Sequence, residues 1–152
     1  MKIVIAGGSG FIGSALVERF VNERNSCTIL TRSEGGRKKS HPAVFMEQWD
    51  GRNPGPWTGC LEGADAVVNL AGALIAGKRW SKKQKEHIRA SRVDATRAIV
   101  DALAVMGRRP SVLVNVSGVG YYGNVPEGDV TETAPRGEGR SEERRVGKEC
   151  RL

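Results

Sequence analysis

Short apolar runs alternate with amphipathic stretches along the first 139 of the 152 residues. Runs of five or six residues rich in β-branched side chains are too short for buried helices and predict strands. These predicted strands cover residues 2–6, 27–31, 43–48, 66–70 and 112–116. Between the first two runs, apolar residues recur at helical spacing from Phe11 to Arg24, which predicts a helix.

A second helical pattern follows the fourth predicted strand. Ser81 is a candidate N-cap with Gln84 three residues later, and the pattern continues, with room for one break, to Met106. Gly107 and Pro110 then stop it. Strands that alternate with helices predict an α/β fold with a parallel sheet, because parallel neighbours need right-handed crossovers. We expect one domain over residues 1–139.

The last stretch, residues 140–152, departs from this pattern. Its charged residues follow no helical or strand period. Back-translated, the string resembles one reading frame of a common sequencing adapter, so we expect a non-native tail without information about the fold. A genuine solvated tail is the alternative, and it would carry no chemistry either.

The formal net charge of +7 raises the alternative of a basic nucleic-acid-binding domain. The basic residues of the second helical stretch are interleaved with Glu86 and have few aromatic neighbours, which favours a solvated helix face and no nucleic-acid partner. No apolar run approaches the roughly 18 residues of a membrane span. The first apolar run is too short for a signal peptide, so we expect a cytoplasmic protein without a membrane partner.

The cysteines and histidines give no sign of a site. Cys27, Cys60 and Cys150 are odd in number and lack CxxC spacing, which predicts neither a disulfide framework nor a metal site. His41 and His87 stand apart from any pairing of an acid with a nucleophile, and we assign them no role.

The segment GGSGFIG, residues 7–13, lies between the first strand and the first helix. Its GxxGxxG spacing in that context predicts a dinucleotide-binding turn of the Rossmann type. Gly7 would permit the tight turn, Gly10 would admit the pyrophosphate, and Gly13 would let the helix pack closely. The helix N-terminus would add N–H donors. A merely flexible glycine turn is the alternative. The predicted cofactor contacts of this turn are Gly7, Ser9, Gly10, Phe11, Ile12 and Gly13.

Together with GGSGFIG, the segments NLAG (69–72) and SGVGYYG (117–123) resemble the extended short-chain dehydrogenases/reductases. GKRW (77–80) and SRV (91–93) resemble the atypical, sugar-nucleotide epimerase-like branch of poorly defined substrate. The resemblance covers residues 1 to about 135. It implies a Rossmann-type doubly wound parallel sheet that is incomplete at the C-terminus, since the family's later substrate domain is missing here. It also implies that Asn69, Ala71 and Gly72 lie near the adenine ribose and the nicotinamide side.

The choice of cofactor is predicted from the end of the second strand, where Thr31 and Arg32 stand in place of an acidic residue. An acid there would bind the ribose 2′-OH of NAD, whereas an arginine accommodates the 2′-phosphate of NADP through charged hydrogen bonds. We therefore predict NADP(H) over NAD(H); an exposed surface arginine is the alternative. The resemblance places Asp50 near adenine, although an Asp before Gly51 equally suits a turn.

The usual catalytic pair of the family is absent. Its hydride transfer uses a tyrosine with a lysine four residues later, but Val125 and Pro126 follow Tyr121 and Tyr122 at that distance. Ser117 is a candidate substrate contact, or else a cap at the end of a strand. In the family's NVxGT pattern, Arg92 occupies the Asn position and Ala95 the Gly position, which weakens transfer of the Asn role.

From these observations we predict the NADP(H)-binding domain of an epimerase/dehydratase-like oxidoreductase that is catalytically incomplete in this chain. The full-length protein would act on a small molecule, for which the resemblance suggests a nucleotide sugar. A non-enzymatic NADP(H)-sensing Rossmann module is the alternative, because it would share every cofactor residue.

Overall fold

The computed structural model describes residues 1–32, 41–75, 79–123, 125 and 127–137. Residues 140–152 lie outside this part, so the non-native tail stays a prediction. The helices and strands are, in chain order, β1 (Lys2–Ala6), α1 (Phe11–Asn22), β2 (Ser26–Thr31), β3 (Val44–Gln48), β4 (Ala66–Asn69), α2 (Lys82–Ala104) and β5 (Val112–Asn115). Two 3₁₀ helices, at Pro56–Leu61 and Val119–Tyr122, complete the regular structure of the described residues.

The five strands form one parallel sheet in the order β3-β2-β1-β4-β5. Each predicted strand is present, with bounds that shift by at most one residue. The chain runs outward from β1 to β3 on one side and crosses to β4 on the other. The order therefore reverses between β1 and β4, where open α/β sheets form their ligand crevice. This arrangement confirms the predicted Rossmann-type fold.

Two apolar clusters cover the two faces of the sheet. On one face, Val17 of α1 packs with Ile3 and Ile5 of β1. On the other face, Ile99 and Leu103 of α2 pack against Val4, Ala6 and Val67. Successive β1 residues thus enter opposite clusters, which explains why that strand is apolar throughout.

Helix α2 is continuous, so the break that the sequence allowed does not occur. Its start agrees with the prediction, since the Ser81 hydroxyl oxygen accepts a hydrogen bond from the backbone N–H of Gln84 at 3.2 Å. The helix ends at Ala104, whose carbonyl accepts a hydrogen bond from the Arg109 side chain at 2.9 Å.

The 3₁₀ helix Pro56–Leu61 was not predicted. It buries Trp57 and Leu61 in the cluster beneath α2. The indole N–H of Trp57 donates to the carbonyl of Asn53 at 3.0 Å, and its ring meets Trp49 edge to face at a centroid distance of 5.2 Å.

Strand β5 is covered unevenly. Val112 and Val114 pair with Ala66 and Val68 of β4 and so point to the α1 side of the sheet. Each is 49% exposed, whereas Ile5 on the same face is fully buried. Within the described residues, α1 therefore shields the β1–β3 half of this face better than the β5 edge.

Candidate nucleotide-binding site

A cleft of about 310 Å³ opens at the carboxyl ends of the strands, around the point where the strand order reverses. The turns after β1, β2, β3 and β4 line it together with one face of α2. Of the predicted site residues, the cleft brings together Gly7, Ser9, Gly10, Thr31, Arg32, Asp50, Ala71 and Gly72.

Two glycines of the turn occupy positions where a side chain would be strained or would collide with backbone. Gly7 has φ +80°, and its carbonyl accepts a hydrogen bond from the N–H of Gly10 at 3.0 Å. A Cβ on Gly7 would lie 3.0 Å from the carbonyl carbon of Leu70, so the turn lies directly against the segment after β4. A Cβ on Gly13 would lie 2.6 Å from the Cα of Gly8, so α1 packs tightly on its own turn.

Gly10 differs from these two positions, because an added Cβ there would meet only the Gly7 carbonyl oxygen, at 3.2 Å. The position is exposed at the cleft and precedes α1 as its N-cap. A larger side chain at Gly10 would therefore occupy ligand space rather than the protein interior.

The side chains of Phe11 and Ile12 lie outside the cleft. They are 95% and 57% exposed, at the first two positions of α1. These residues could therefore contact a ligand only through their backbone N–H groups. Those groups belong to the first turn of the helix and have no acceptor within it.

The β2 side of the cleft carries Thr31, which is buried, and Arg32, which is exposed. Strand β3 lies alongside, since the N–H of Trp49 donates to the carbonyl of Thr31 at 2.9 Å. Arg32 is thus placed in the cleft wall at the end of β2, where a ribose 2′ substituent binds in this fold.

Asp50 both forms a turn and lines the cleft. Its carboxylate accepts hydrogen bonds from the N–H groups of Asn53 at 2.9 Å and Arg52 at 2.8 Å, and from the Asn53 side chain at 2.6 Å. The backbone hydrogen bond from Asn53, then that from its side chain and that from the Arg52 N–H, hold the pKa of Asp50 below its usual value. Asp50 therefore presents a carboxylate of fixed orientation.

Sequence reasoning did not include Arg52 in the site. Its guanidinium forms an ion pair with Asp94 of α2 at 3.2 Å, which links the loop after β3 to the helix across the cleft. Because Arg52 is largely exposed, this pair adds little to stability, and its main effect is on geometry.

Asn69 lies beneath the cleft and is only 3% exposed. Its amide N–H groups donate to Thr96 at 3.2 Å and to the side-chain oxygen of Asn115 at 2.7 Å. Its oxygen accepts a hydrogen bond from the N–H of Ala71 at 3.1 Å. Asn69 thus joins β4, α2 and β5 and supports the segment that lines the cleft.

The segment after β4, residues 70–73, is also held from α2. The Ser91 hydroxyl oxygen accepts a hydrogen bond from the N–H of Ala73 at 2.9 Å, and Arg92 donates to the carbonyl of Ala73 at 3.2 Å. The Arg92 guanidinium lies against Gly72, where a Cβ would be 2.8 Å from its Cζ.

One face of α2 contributes His87, Ser91 and Ala95 to the cleft. Their spacing of four residues places them on one side of a helix, and this signal was available in the sequence. The sequence analysis assigned His87 no role, because it stands apart from any pairing of an acid with a nucleophile along the chain.

Ser117 does not reach this cleft. It is exposed in the segment after β5, ahead of the 3₁₀ helix in which Tyr121 and Tyr122 meet edge to face at 4.9 Å. Its role as a substrate contact stays a prediction.

The two described cysteines suit packing rather than chemistry. Burial raises the pKa of Cys60 to about 11 and also raises that of Cys27. A thiol of raised pKa is a poor nucleophile at neutral pH. No three His, Cys, Asp or Glu residues of the described chain form a cluster suited to a metal ion. No helix in the same part is both long and apolar enough to cross a bilayer.

The fold and the glycine turn at residues 7–13 define a Rossmann-type nucleotide-binding domain. The sequence profile of the NAD dependent epimerase/dehydratase family matches residues 3–143, and the chain belongs to that family. This confirms the resemblance to extended short-chain dehydrogenases/reductases.

Curated relatives agree with this assignment. The chain is 36% identical over 139 residues to the epimerase family protein SDR39U1 homolog, chloroplastic, of Arabidopsis thaliana, covering 90% of this chain and 40% of that protein. It is 40% identical over 119 residues to an epimerase family protein of Staphylococcus saprophyticus, covering 78% of this chain and 38% of that protein. The chain thus spans about 40% of the length of these relatives.

Solved structures share the fold. Human epimerase family protein SDR39U1 with NADPH superposes with a TM-score of 0.75 at 24% identity, over 97% of this chain and 48% of that one. UDP-glucuronic acid 4-epimerase from Bacillus cereus, in complex with UDP-glucuronic acid and NAD, superposes with a TM-score of 0.77 at 20% identity, over 97% and 50%. The present chain corresponds to about half of each.

Proposed function

We propose that this chain is the NADP(H)-binding domain of an epimerase/dehydratase-like oxidoreductase. The observation that carries the proposal is Arg32, an exposed guanidinium in the cleft wall directly after β2. This is the position from which an acid would select the 2′-OH of NAD, and an arginine offers charged hydrogen bonds to a 2′-phosphate instead.

The wider family does not decide the cofactor. One structural neighbour was solved with NADPH and another with NAD, so the preference has to come from this chain's own residues. For the whole protein we propose a nucleotide-sugar substrate, supported by the UDP-glucuronic acid bound to the Bacillus cereus neighbour. The cytoplasmic location stays a prediction from the sequence.

Calorimetric titration with NADPH and NADH tests the cofactor. We expect the chain to bind NADPH more tightly, and Arg32→Ala to weaken NADPH about tenfold or more, because a charge-assisted hydrogen bond contributes about 1.5–3 kcal/mol. NADH affinity should stay unchanged in that variant.

Arg108→Ala is the matched control, since Arg108 is also exposed but lies beyond α2 and outside the cleft. It should change neither affinity. Equal affinity of the unmodified chain for both dinucleotides, or tighter binding of NADH, would overturn the NADP(H) assignment.

A further inference from the structure

Two consecutive residues of α2, Ser91 and Arg92, form hydrogen bonds with the backbone N–H and carbonyl of Ala73 in the cleft. Ser91 accepts from the N–H of Ala73 at 2.9 Å, and Arg92 donates to its carbonyl at 3.2 Å. Both side chains are themselves tied to the helix, because each also donates to the carbonyl of Ile88, at 2.9 Å and 3.0 Å. Residue 73 is therefore attached to a rigid element rather than to another loop.

The Arg92 side chain also accounts for Gly72. Its Cζ, Nη1 and Nη2 atoms would lie 2.8–3.1 Å from any Cβ at that position, so the guanidinium packs directly on the glycine. The arginine that departs from the family's NVxGT pattern thus has a defined structural task. With Asn69 bound to the N–H of Ala71, segment 70–73 is fixed at both ends.

Segment 70–73 lies on the far side of the switch point from β2. A dinucleotide in this fold crosses the crevice where the strand order reverses, with its adenine ribose at the end of β2. The other half of the dinucleotide must then lie over the β4 side, against segment 70–73.

We infer that Ser91 and Arg92 are positioning residues for the nicotinamide half of the bound dinucleotide, which they serve by fixing segment 70–73. The inference rests on the proposed function. Helix α2 would thus support the nicotinamide half of the dinucleotide through segment 70–73. The end of β2 would hold the adenine half, and the glycine-turn motif alone indicates no such role for α2.

The test compares NADPH with adenosine 2′,5′-bisphosphate, which carries the adenine half and its 2′-phosphate but no nicotinamide. We expect Arg92→Ala and Ser91→Ala each to weaken NADPH about tenfold while leaving the bisphosphate within about twofold. Arg92→Lys, which keeps the charge but loses the planar fork, should fall between Arg92→Ala and the unmodified chain.

A second measurement needs no ligand. Amide hydrogen exchange in the cofactor-free chain should become about tenfold faster or more at Ala73 in Ser91→Ala, because that N–H loses its acceptor. Arg97→Ala, an exposed arginine of the same helix outside the cleft, is the matched control and should change neither the affinities nor the exchange.

Unchanged NADPH affinity in both variants, or equal weakening of both ligands, would overturn the inference, since equal weakening would mean a general loss of structure. If Arg92→Ala fails to fold, the affinities of Ser91→Ala test the inference alone, because that variant removes a single oxygen and should keep the fold. Failure of the unmodified chain to bind either ligand would instead overturn the proposed function, and the inference with it.

Discussion

The two walls of the cleft are built on different principles. The wall after β1 is formed by Gly7, Ser9 and Gly10, and its shape depends on the absence of side chains at Gly7, Gly10 and, in the first turn of α1, Gly13. The wall after β4 is shaped by side chains, with Ser91 and Arg92 reaching it from residues 18 and 19 positions away in sequence. Substitution in the first wall should therefore cause collisions, whereas substitution in the second should cause graded loss of support.

The largest effect is expected for Gly13→Ala. Its Cβ would lie 2.6 Å from the Cα of Gly8, and backbone cannot move aside as a side chain can. We expect a loss of about 1–3 kcal/mol or more in the free energy of unfolding, measured by urea titration. Gly107→Ala is the control, because nothing lies within 4 Å of its added Cβ, and it should be neutral or slightly stabilising. Equal stability of the two variants would contradict the tight packing of α1.

Gly10→Val should separate folding from binding. The new side chain would project into the cleft, so we expect a native circular dichroism spectrum with NADPH affinity reduced by at least about a hundredfold. Gly59→Val, at an exposed glycine with open space around it, is the control and should leave NADPH affinity unchanged. Normal affinity in a folded Gly10→Val chain would move the ligand away from the glycine turn.

The smallest effect is expected beneath the second wall. Thr96→Val keeps the shape of a buried side chain but removes the hydroxyl that accepts from Asn69 and donates to Asn115. We expect a cost of about 1 kcal/mol in unfolding free energy, because Asn69 keeps its 2.7 Å hydrogen bond to Asn115. NADPH affinity should change less than about threefold.

Thr131→Val is the control for Thr96→Val. The Thr131 hydroxyl shares a hydrogen bond of 2.9 Å with the Thr133 hydroxyl, but both lie in solvent, so its removal should alter stability by less than about 0.5 kcal/mol. A loss of NADPH binding in Thr96→Val as large as that in Gly10→Val would mean that the two walls do not differ as described.

One wall is formed by residues close together in the sequence and the other by residues far apart, and this difference explains how much of the site the sequence could predict. Each strand was located to within one residue, because a short run rich in strand-forming side chains and bounded by turn residues is a local signal. The glycine turn was equally accessible, since strand, spacing and helix adjoin in the chain. The 3₁₀ helix at Pro56–Leu61 was missed because a single short helix has no period to detect.

The α2 side of the site could be predicted only in part. The four-residue spacing of His87 and Ser91 on one helix face was visible in the sequence. That this face meets the loop of Arg52 at the cleft depends on contacts between separate elements, which the sequence pattern does not show. The predicted ligand contact of Asn69 stays a prediction, and its burial and its hydrogen bonds to Thr96 and Asn115 depend on contacts between residues 27 and 46 positions apart.

The position of Trp49 affects the fluorescence expected of this protein. It lines the cleft and meets the buried ring of Trp57 edge to face, while Trp80, the remaining tryptophan of the sequence, is well exposed. Indole emission overlaps the absorption of a reduced nicotinamide, so excitation of the Trp49–Trp57 pair should pass to bound NADPH. We therefore expect tryptophan fluorescence to report occupancy of the cleft by a reduced dinucleotide without an added label.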